Sequence, residues 1–372
     1  GLKNGGDGIT FNTVNNVNNF TSVGTYPVGI NINDPSGKLV NYNVTTNLAN
    51  VVVDKANLSV VANNKSKTYK DTNPIFDGIV TGLKNGGEGI VDVYTPSVAS
   101  DSNVGIFSIV SSLTDPNSKL INYNVSLQEG VFTISKANMN VTIDGKSMIY
   151  GESVPPFTGS LTGDRGDGIT ASYSANINSL SDAGNYTINP LFNDANGKLG
   201  NYNIVTNGAN ITINKATLNG QIVNVSREYG FVNPNFSISF AGFKNGQNES
   251  VISGNAVFDT SATQTSNIGN YSVNATTGTL NAQNYSFGSI GSGNLSITQA
   301  PLTINMSNNG KVYGTSMPSP LTGNLNGLRN SDVITVTGNT SASQISSVGN
   351  YAITPNVTDS ANRIGNYLVT TN

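Results

Sequence analysis

The chain contains no cysteine, no histidine and no tryptophan among its 372 residues. Without cysteine no disulfide can form, so the fold must rely on apolar burial and sheet hydrogen bonds. The missing Cys and His also exclude catalytic triads of the usual kind, thiol nucleophiles and common zinc ligand sets. We therefore predict no catalytic, cofactor-binding or metal-binding residues and no enzymatic activity. A Ser-Lys arrangement stays open as an alternative, although nothing marks one serine among so many.

Charge is scarce, and long hydrophobic runs are missing. Charged residues make up 10% of the chain, against roughly 25% in ordinary globular proteins. The 18 basic and 21 acidic residues give a net charge of −3, too little positive field to gather phosphates, so we expect no nucleic-acid partner. Apolar runs such as Val51-Val52-Val53 fall far short of the roughly 20 residues that span a bilayer. Because the sequence opens on Gly1 with no signal-peptide pattern, we expect it to be an excerpt.

Three short patterns recur in phase along the chain. A tyrosine opens each copy, with spacings of 150−69 = 81, 229−150 = 79 and 313−229 = 84 residues. An Asn-Tyr pair and a Gly-x-aromatic step keep the same period. The opening tyrosines are Tyr69, Tyr150, Tyr229 and Tyr313; the pairs begin at Asn41, Asn122, Asn201, Asn284 and Asn366, and the steps at Gly24, Gly105, Gly184, Gly269 and Gly349. A fixed period of this length predicts a tandem array of small domains.

The period divides the chain into five blocks. Block 1–54 corresponds to the later two thirds of a repeat, and blocks 55–135, 136–214 and 215–299 are full repeats. Block 300–372 is a repeat without its last strand. We expect a continuation of the chain, or a neighbouring copy, to complete the two unfinished sheets.

Apolar residues within a block alternate with polar ones, as in half-buried strands. In block 136–214, segments 138–143, 146–150, 157–161, 169–177, 186–188, 202–205 and 210–213 read as short strands separated by turn residues. No segment shows a sustained helical stripe. The fold class predicted is all-β, either a small immunoglobulin-like β-sandwich or a β-grasp-like sheet.

Neighbouring blocks follow one another without a spacer. Segment 211–218 passes from the last strand of one block into the first strand of the next with no Pro, Gly or Ser. Such a junction restricts bending, so we expect a linear array that forms a stiff rod. At roughly 3.3 Å per residue the excerpt would span on the order of 150 Å. We also expect each block to close its own apolar interior.

The recurring aromatic residues are typical of packing positions. We expect each opening tyrosine to anchor the edge of a core, with a ligand-stacking platform as the alternative. In the Asn-Tyr pairs the asparagine is expected to cap the preceding loop and the ring to fill the core.

Loops of similar sequence begin at Asp34, Asp115, Asp194 and Asp359. They resemble the start of a calcium loop, but each offers one carboxylate and no closing acid, whereas calcium needs six or more oxygens. An Asx-turn is the favoured interpretation. Block 215–299 replaces the loop with segment 279–283.

Two further motifs suggest chemistry only superficially. The Gly-rich segments 1–8 and 82–89 resemble phosphate loops, but strand-like alternation follows them instead of a helix, so we predict hairpin loops. Lys55, Lys136 and Lys215 each begin a Lys-Ala step. An isopeptide bond from these lysines to an asparagine would need a buried acid, and no acid recurs in register.

Asparagine-linked glycosylation motifs also recur in these columns. The candidate glycosylation sites are Asn43, Asn124, Asn185 and Asn270. Chance alone yields such motifs in a chain rich in Asn, Ser and Thr, so they are candidates only.

The combined patterns resemble the MBG repeat domain, named for a mostly-β-grasp fold. The resemblance rests on Arg227-Glu228-Tyr229-Gly230-Phe231-Val232-Asn233-Pro234, Ile268-Gly269-Asn270-Tyr271, Gln283-Asn284-Tyr285 and Gly293-Asn294-Leu295-Ser296-Ile297. Lys70 replaces the usual glycine and Phe107 the usual tyrosine, so block 55–135 is the least typical. The resemblance implies tandem units of large adhesins and other microbial surface proteins, secreted or attached to the cell surface. It implies no catalytic residue and no ligand site.

Three functions remain open from the sequence. The first is a non-catalytic extracellular stalk or filament segment, whose partners are neighbouring repeats or copies of the same protein. The second is an adhesin module whose loops, such as residues 243–253 or 101–104, bind surface carbohydrate or protein. The third is an enzyme, which measurable hydrolase turnover would support.

Overall fold

A computed structural model describes residues 1–3, 5 and 8–372. Across these residues the regular structure consists of 30 strands and single-turn 3-10 segments, with no α-helix. The 3-10 segments are Leu39–Asn41, Asn85–Gly87, Leu120–Asn122, Leu199–Asn201, Glu249–Val251 and Ile364–Asn366. The prediction of an all-β chain built from small sheets is confirmed.

Block 1–54 contains two small antiparallel pairs. Its strands are β1 (Thr10–Val14), β2 (Gly24–Pro27), β3 (Gly29–Asn33) and β4 (Asn50–Val53). β1 pairs with β3, and β2 pairs with β4. In the Gly-rich segment 1–8, residues Asn4, Gly6 and Asp7 lie outside the described residues.

Block 55–135 contains two sheets. Its strands are β5 (Ala56–Ala62), β6 (Lys65–Thr68), β7 (Gly78–Thr81), β8 (Val91–Pro96), β9 (Gly105–Thr114), β10 (Tyr123–Gln128) and β11 (Gly130–Ser135). The three-stranded sheet has the order β10-β5-β7 and the four-stranded sheet the order β6-β11-β9-β8. The first two strands pair in parallel with the last two, β5 with β10 and β6 with β11, and the other pairs are antiparallel.

Block 136–214 repeats this arrangement. Its strands are β12 (Ala137–Ile143), β13 (Lys146–Ile149), β14 (Gly159–Thr162), β15 (Thr170–Ser174), β16 (Gly184–Asn193), β17 (Tyr202–Asn207) and β18 (Ala209–Asn214). The sheet orders are β14-β12-β17 and β13-β18-β16-β15. All seven strands overlap segments that the apolar alternation predicts, although β16 extends well beyond segment 186–188 on both sides.

Block 215–299 has the same topology, with β19 (Ala216–Ile222), β20 (Val225–Glu228), β21 (Ile238–Ala241), β22 (Val257–Thr260), β23 (Gly269–Thr276), β24 (Tyr285–Gly291) and β25 (Gly293–Thr298). Its sheets are β21-β19-β24 and β20-β25-β23-β22. Block 300–372 differs, because β26 (Ala300–Met306), β27 (Leu321–Asn326), β28 (Thr335–Thr340), β29 (Ile353–Thr358) and β30 (Tyr367–Thr371) form one sheet of order β29-β28-β27-β26-β30.

The Gly-rich segment 82–89 connects two sheets, since β7 and β8 lie in different sheets. The prediction of a hairpin loop is therefore wrong. The first glycine of the segment has a physical reason, because Gly82 has φ +99° and a Cβ there would lie 2.1 Å from the carbonyl oxygen of Asn57. The segment that connects the two sheets thus passes in direct contact with the backbone of β5.

The chain forms two compact units whose boundary lies inside a block. Unit 1 comprises residues 1–143, 158–173 and 190–208, and unit 2 comprises residues 144–157, 174–189 and 209–372. The three-stranded sheet of block 136–214 belongs to unit 1, whereas β13 and β18 belong to unit 2. Block 136–214 is thus divided between the two units.

Each unit contains a core that is shared by two blocks. In unit 1, Phe132 and Ile134 of β11 cluster with Met139 of β12 and Tyr202 of β17. In unit 2, Leu295 of β25 clusters in the same way with residues of block 300–372. The expectation that every block closes its own interior is wrong. Since only Lys136 separates β11 from β12, the next block begins directly beside the sheet of the previous one and shares its apolar face.

Candidate functional site: joints between blocks

The recurring residues meet where one block contacts the next, and we call each such contact a joint. Each joint is named by the opening tyrosine of its first block. In unit 1 the Tyr69 ring lies edge-on against Tyr202, and in unit 2 Tyr150 meets Tyr285 and Tyr229 meets Tyr367. The centroids are 5.7, 5.5 and 5.5 Å apart, within the range that aromatic pairs favour.

Burial of these tyrosines confirms that they are packing residues. Tyr69 and Tyr229 are 0% exposed and Tyr150 is 3% exposed, so their rings offer no platform for a ligand. Tyr313, in the last of the five blocks, is 66% exposed. The opening tyrosine is therefore buried where a following block covers it.

From the second Asn-Tyr pair onward, the asparagine bridges two blocks. Asn201 Oδ1 accepts a hydrogen bond from the Val104 N–H at 2.9 Å, and its Nδ2 donates to Asn103 Oδ1 at 3.2 Å. The same two bonds join Asn284 to Ala183 and Asp182, and Asn366 to Ile268 and Asn267. The prediction that this asparagine caps its own preceding loop is wrong, because it binds the block before its own.

The acceptor residues Asn103, Asp182 and Asn267 were missed by the sequence analysis. A signal for them exists, since an oxygen-bearing side chain precedes every Gly-x-aromatic step by two residues: Ser22, Asn103, Asp182, Asn267 and Ser347. Segment 101–104, one candidate binding loop, thus supplies two residues to the Tyr69 joint.

The Asp loops hold the bridging asparagines in place. Asp115 Oδ1 and Oδ2 accept the N–H groups of Lys119 at 2.8 Å and Leu120 at 2.6 Å, just before the 3-10 segment that ends at Asn122. The bond from Leu120 lowers the pKa of Asp115, outweighing its partial desolvation. These carboxylates thus act in Asx-type turns, as expected. In the described part of the chain, no three Asp or Glu residues cluster as a metal site.

A polar side chain of the second block receives the tyrosine hydroxyls. In the Tyr69 joint, Asp167 accepts from Tyr202 at 2.7 Å and from Tyr69 at 3.3 Å, and it pairs with Lys70. Asp332 accepts both hydroxyls in the Tyr229 joint, whereas Gln247 accepts only Tyr285 in the Tyr150 joint. The joints share one geometry and differ in charge.

Burial and hydrogen bonding act in opposite directions on the pKa of Asp167 in the Tyr69 joint. Desolvation alone would raise the pKa of Asp167, but the hydrogen bonds from Lys70, Tyr202 and Tyr69 together hold it below the usual value. Burial, and then the bond to Asp167, raises the pKa of Tyr202 to about 12. The carboxylate is therefore the charged partner and both tyrosines stay protonated at neutral pH.

Basic residues complete the joints by covering the turn after each opening tyrosine. Arg165 donates to the Tyr69 carbonyl at 2.9 Å and pairs with Asp71, while Arg329 lies 4.7 Å from the Phe231 ring centroid. Lys244 packs against Gly151, where a Cβ would lie 2.5 Å from the lysine side chain. Each joint therefore has side-chain contacts on several sides of its opening tyrosine.

Acid should weaken unit 1 through Asp167. Its folded pKa is lowered, so its contribution is present above the unfolded value of about 3.9 and is lost as pH falls through the folded value. We expect the Asp167→Asn variant to lack this component of acid destabilisation. Denaturant unfolding between about pH 2 and pH 7 checks it, and parallel pH profiles of the two proteins would contradict it.

Removing a bridging asparagine should be costly. Asn201→Ala leaves the Val104 N–H without its partner, which lowers the unfolding free energy by about 1–3 kcal/mol. Asn203→Ala is the control, because Asn203 is exposed on the neighbouring strand. Equal denaturation midpoints for the two variants would exclude a role for the Asn201 bridge.

The candidate glycosylation sites lie outside the joints. Asn43, Asn124, Asn185 and Asn270 are all exposed, and Asn185 Oδ1 accepts a 2.7 Å hydrogen bond from Thr212. Their glycosylation stays a prediction. Lys55, Lys136 and Lys215 are also exposed, and Lys215 Nζ donates to the Ala282 carbonyl at 2.8 Å, so these lysines occupy no buried acid site.

Block 215–299 carries a groove of about 260 Å³. Phe236, Phe240 and Phe258 line it together with Glu249 and Asn255. The walls include the candidate binding loop 243–253, which continues to a bridge between Ser253 and Asn281. Aromatic rings thus lie beside an acid and an amide in one open groove.

The described geometry defines a class of protein: a tandem array of all-β blocks docked through side-chain joints that recur with the repeat. Its family is also shown. The chain belongs to the MBG domain family of the YGX type, whose model matches residues 58–133, 139–212, 221–296 and 302–372. None of the helical segments in residues 1–3, 5 and 8–372 is long and apolar enough to cross a membrane.

Solved structures show only weak similarity. Drosophila N-cadherin EC1-4 is 7% identical with a TM-score of 0.28, over 79% of this chain and 93% of that chain. The M60 catalytic domain with CBM51-1 and CBM51-2 from Clostridium perfringens ZmpB is 8% identical with a TM-score of 0.14, over 90% of this chain and 45% of that chain. Neither similarity supports an argument about function. Comparison with curated proteins finds no match.

Proposed function

We propose that the chain is a non-catalytic, extracellular stalk or filament segment of a large repetitive surface protein. The joints are the observation that carries this proposal. A flexible array would separate its blocks by polar linkers, whereas here a single residue separates β11 from β12 and β25 from β26. Buried tyrosine pairs and asparagine bridges then restrain the two blocks at each joint.

The face around Tyr313 is exposed and has residues at the same positions as the docked faces of earlier blocks. Val348 stands at the position of Val104 and Ile268, whose N–H groups bind the asparagine of the next block, and it is 95% exposed. We propose that a further repeat or another copy of the protein docks here through the same contacts. Low charge and exposed glycosylation motifs suit a surface location, where bound sugars would cover the stalk.

Solution scattering on the isolated chain tests the stalk. We expect a maximum dimension on the order of 150 Å, as for a stiff array of strands with roughly 3.3 Å per residue. The control is a variant in which a Gly-Ser linker replaces Gln299 while Tyr229→Ala and Asn366→Ala remove side-chain contacts of the same joint. Freeing this joint should broaden the distance distribution, and a compact particle, or an unchanged distribution for this variant, would refute the stalk.

An adhesin module is the second candidate, and the groove of block 215–299 favours it. Phe rings flanked by Glu249 and Asn255 suit a carbohydrate, whose apolar ring faces stack on aromatics while its hydroxyls bond to the polar groups. Glycan-array binding that Phe258→Ala abolishes and Phe11→Ala leaves intact would support it. Phe11 is 72% exposed and lies in block 1–54, so it controls for nonspecific contact.

A further inference from the structure

The strand that enters a block and the strand that leaves it each have a parallel partner, although the two do not pair with each other. In block 55–135, β5 pairs with β10 over six residue pairs, and β6 pairs with β11 over four. In block 215–299, β19 pairs with β24 over five residue pairs and β20 with β25 over four. This pairing brings the first and last segments of a block into direct hydrogen-bonded contact.

The direction of the strands decides how such a ladder responds to a pull on the chain. Force drags the entering strand toward the preceding block and the leaving strand toward the following block. In block 55–135 the entering strand β5 is therefore drawn lengthwise past its parallel partner β10, and the leaving strand β11 is drawn lengthwise past its parallel partner β6. The hydrogen bonds of a parallel ladder are evenly spaced along the strands, so they share the load instead of opening one after another.

Tension is also transmitted between blocks 215–299 and 300–372 without a flexible linker. Only Gln299 lies between β25, which leaves block 215–299, and β26, which enters block 300–372. β26 in turn pairs in parallel with β30 over five residue pairs. The backbone path therefore runs from one parallel ladder directly into the next.

We propose that each parallel pair is a shear clamp and that bearing tension is a function of the chain. The inference goes beyond the proposed stalk, since an adhesin module would need the same property. A compact particle in scattering would refute the stalk and leave the clamp standing. Equal forces in the experiment below would refute the clamp and leave the stalk standing.

Single-molecule pulling on block 215–299 within the full chain tests the clamp. The absence of cysteine lets two introduced cysteines define the direction of force. Handles at Thr217→Cys, near the start of β19, and at Asn294→Cys, just beyond the end of β24, load the β19–β24 ladder in shear because force then enters at its opposite ends. Handles at Thr217→Cys and Gln283→Cys peel it, because they lie at the same end. All three side chains are exposed.

We expect the shear pair to unfold at a force at least twofold higher than the peeling pair at the same loading rate. Gln283 donates a 2.8 Å hydrogen bond to Asp182, so the shear pair is also measured with Gln283→Ala as the matched control. Because forced unfolding reports a rate and not an equilibrium, denaturant midpoints of the variants are compared separately. A force ratio below two, with or without the control substitution, would overturn the proposal.

Discussion

Replacing Tyr69 with alanine should unfold unit 1 at a much lower denaturant concentration than the unchanged chain. Tyr69 is 0% exposed, lies edge-on against Tyr202 and donates its hydroxyl to Asp167. Removing a buried aromatic ring leaves a cavity and costs about 3–5 kcal/mol. Here the change also removes one of the donors that stabilise a buried carboxylate, so we expect the upper part of that range.

Tyr313→Ala provides the matched control within the same chain. Tyr313 occupies the same sequence column but is 66% exposed, and substitutions at such positions usually change stability by less than about 0.5 kcal/mol. Guanidinium unfolding of both variants, followed by near-ultraviolet circular dichroism, measures the difference. Similar losses for the two would show that the joint adds little to the stability of the fold.

The strands of this fold could be predicted from the sequence because they are local. The alternation in segment 138–143 gives β12 (Ala137–Ile143), in which every second residue is buried. Turn residues around each run set its ends, as with Gly151 after β13 (Lys146–Ile149). These signals depend on the nearest neighbours in the chain, and a single copy contains all of them.

The packing unit could not be predicted in the same way. The period of the sequence gives the length of a repeat, but it does not give the residue at which one packing unit ends and the next begins. Phe132 and Tyr202 share a core although the period places them in different blocks. Because the copies have similar sequences, comparing them does not show whether a residue contacts its own block or an adjacent block.

The hydrogen bonds within a joint could not be predicted from the sequence for a related reason. Asn201 and Val104 are 97 residues apart, and their hydrogen bond uses a backbone N–H that any residue would supply. The column of oxygen-bearing residues Ser22, Asn103, Asp182, Asn267 and Ser347 was visible, but turns also favour such residues. Only the interatomic distances between blocks distinguish a role in a joint from a role in a local turn.

Substitution of Gly163 should be among the most damaging changes outside the tyrosine pairs. Gly163 has φ +91°, and a Cβ there would lie 2.5 Å from the Asn138 carbonyl oxygen and 3.2 Å from the Met139 Cα. The left-handed backbone costs a non-glycine residue about 1–2 kcal/mol, and the overlap with a buried strand adds about 1–3 kcal/mol. Since backbone atoms of β12 provide the obstacle, rotation of a side chain cannot relieve it.

We therefore expect Gly163→Ala to lower the unfolding free energy of unit 1 by about 2–5 kcal/mol, the sum of those two costs. Gly200→Ala in the same unit is the control, because a Cβ at Gly200 would meet no atom within 4 Å and the φ of this residue is not positive. Thermal and denaturant unfolding compare the two. The loop that begins at Gly163 contains Arg165 and Asp167, so the variant should also lose the acid-dependent component of stability that Asp167 provides. If Gly163→Ala had the same unfolding midpoint as Gly200→Ala, the loop would be able to move away from β12. Close packing of the loop against β12 would then no longer explain how Asp167 is held against Tyr69 and Tyr202.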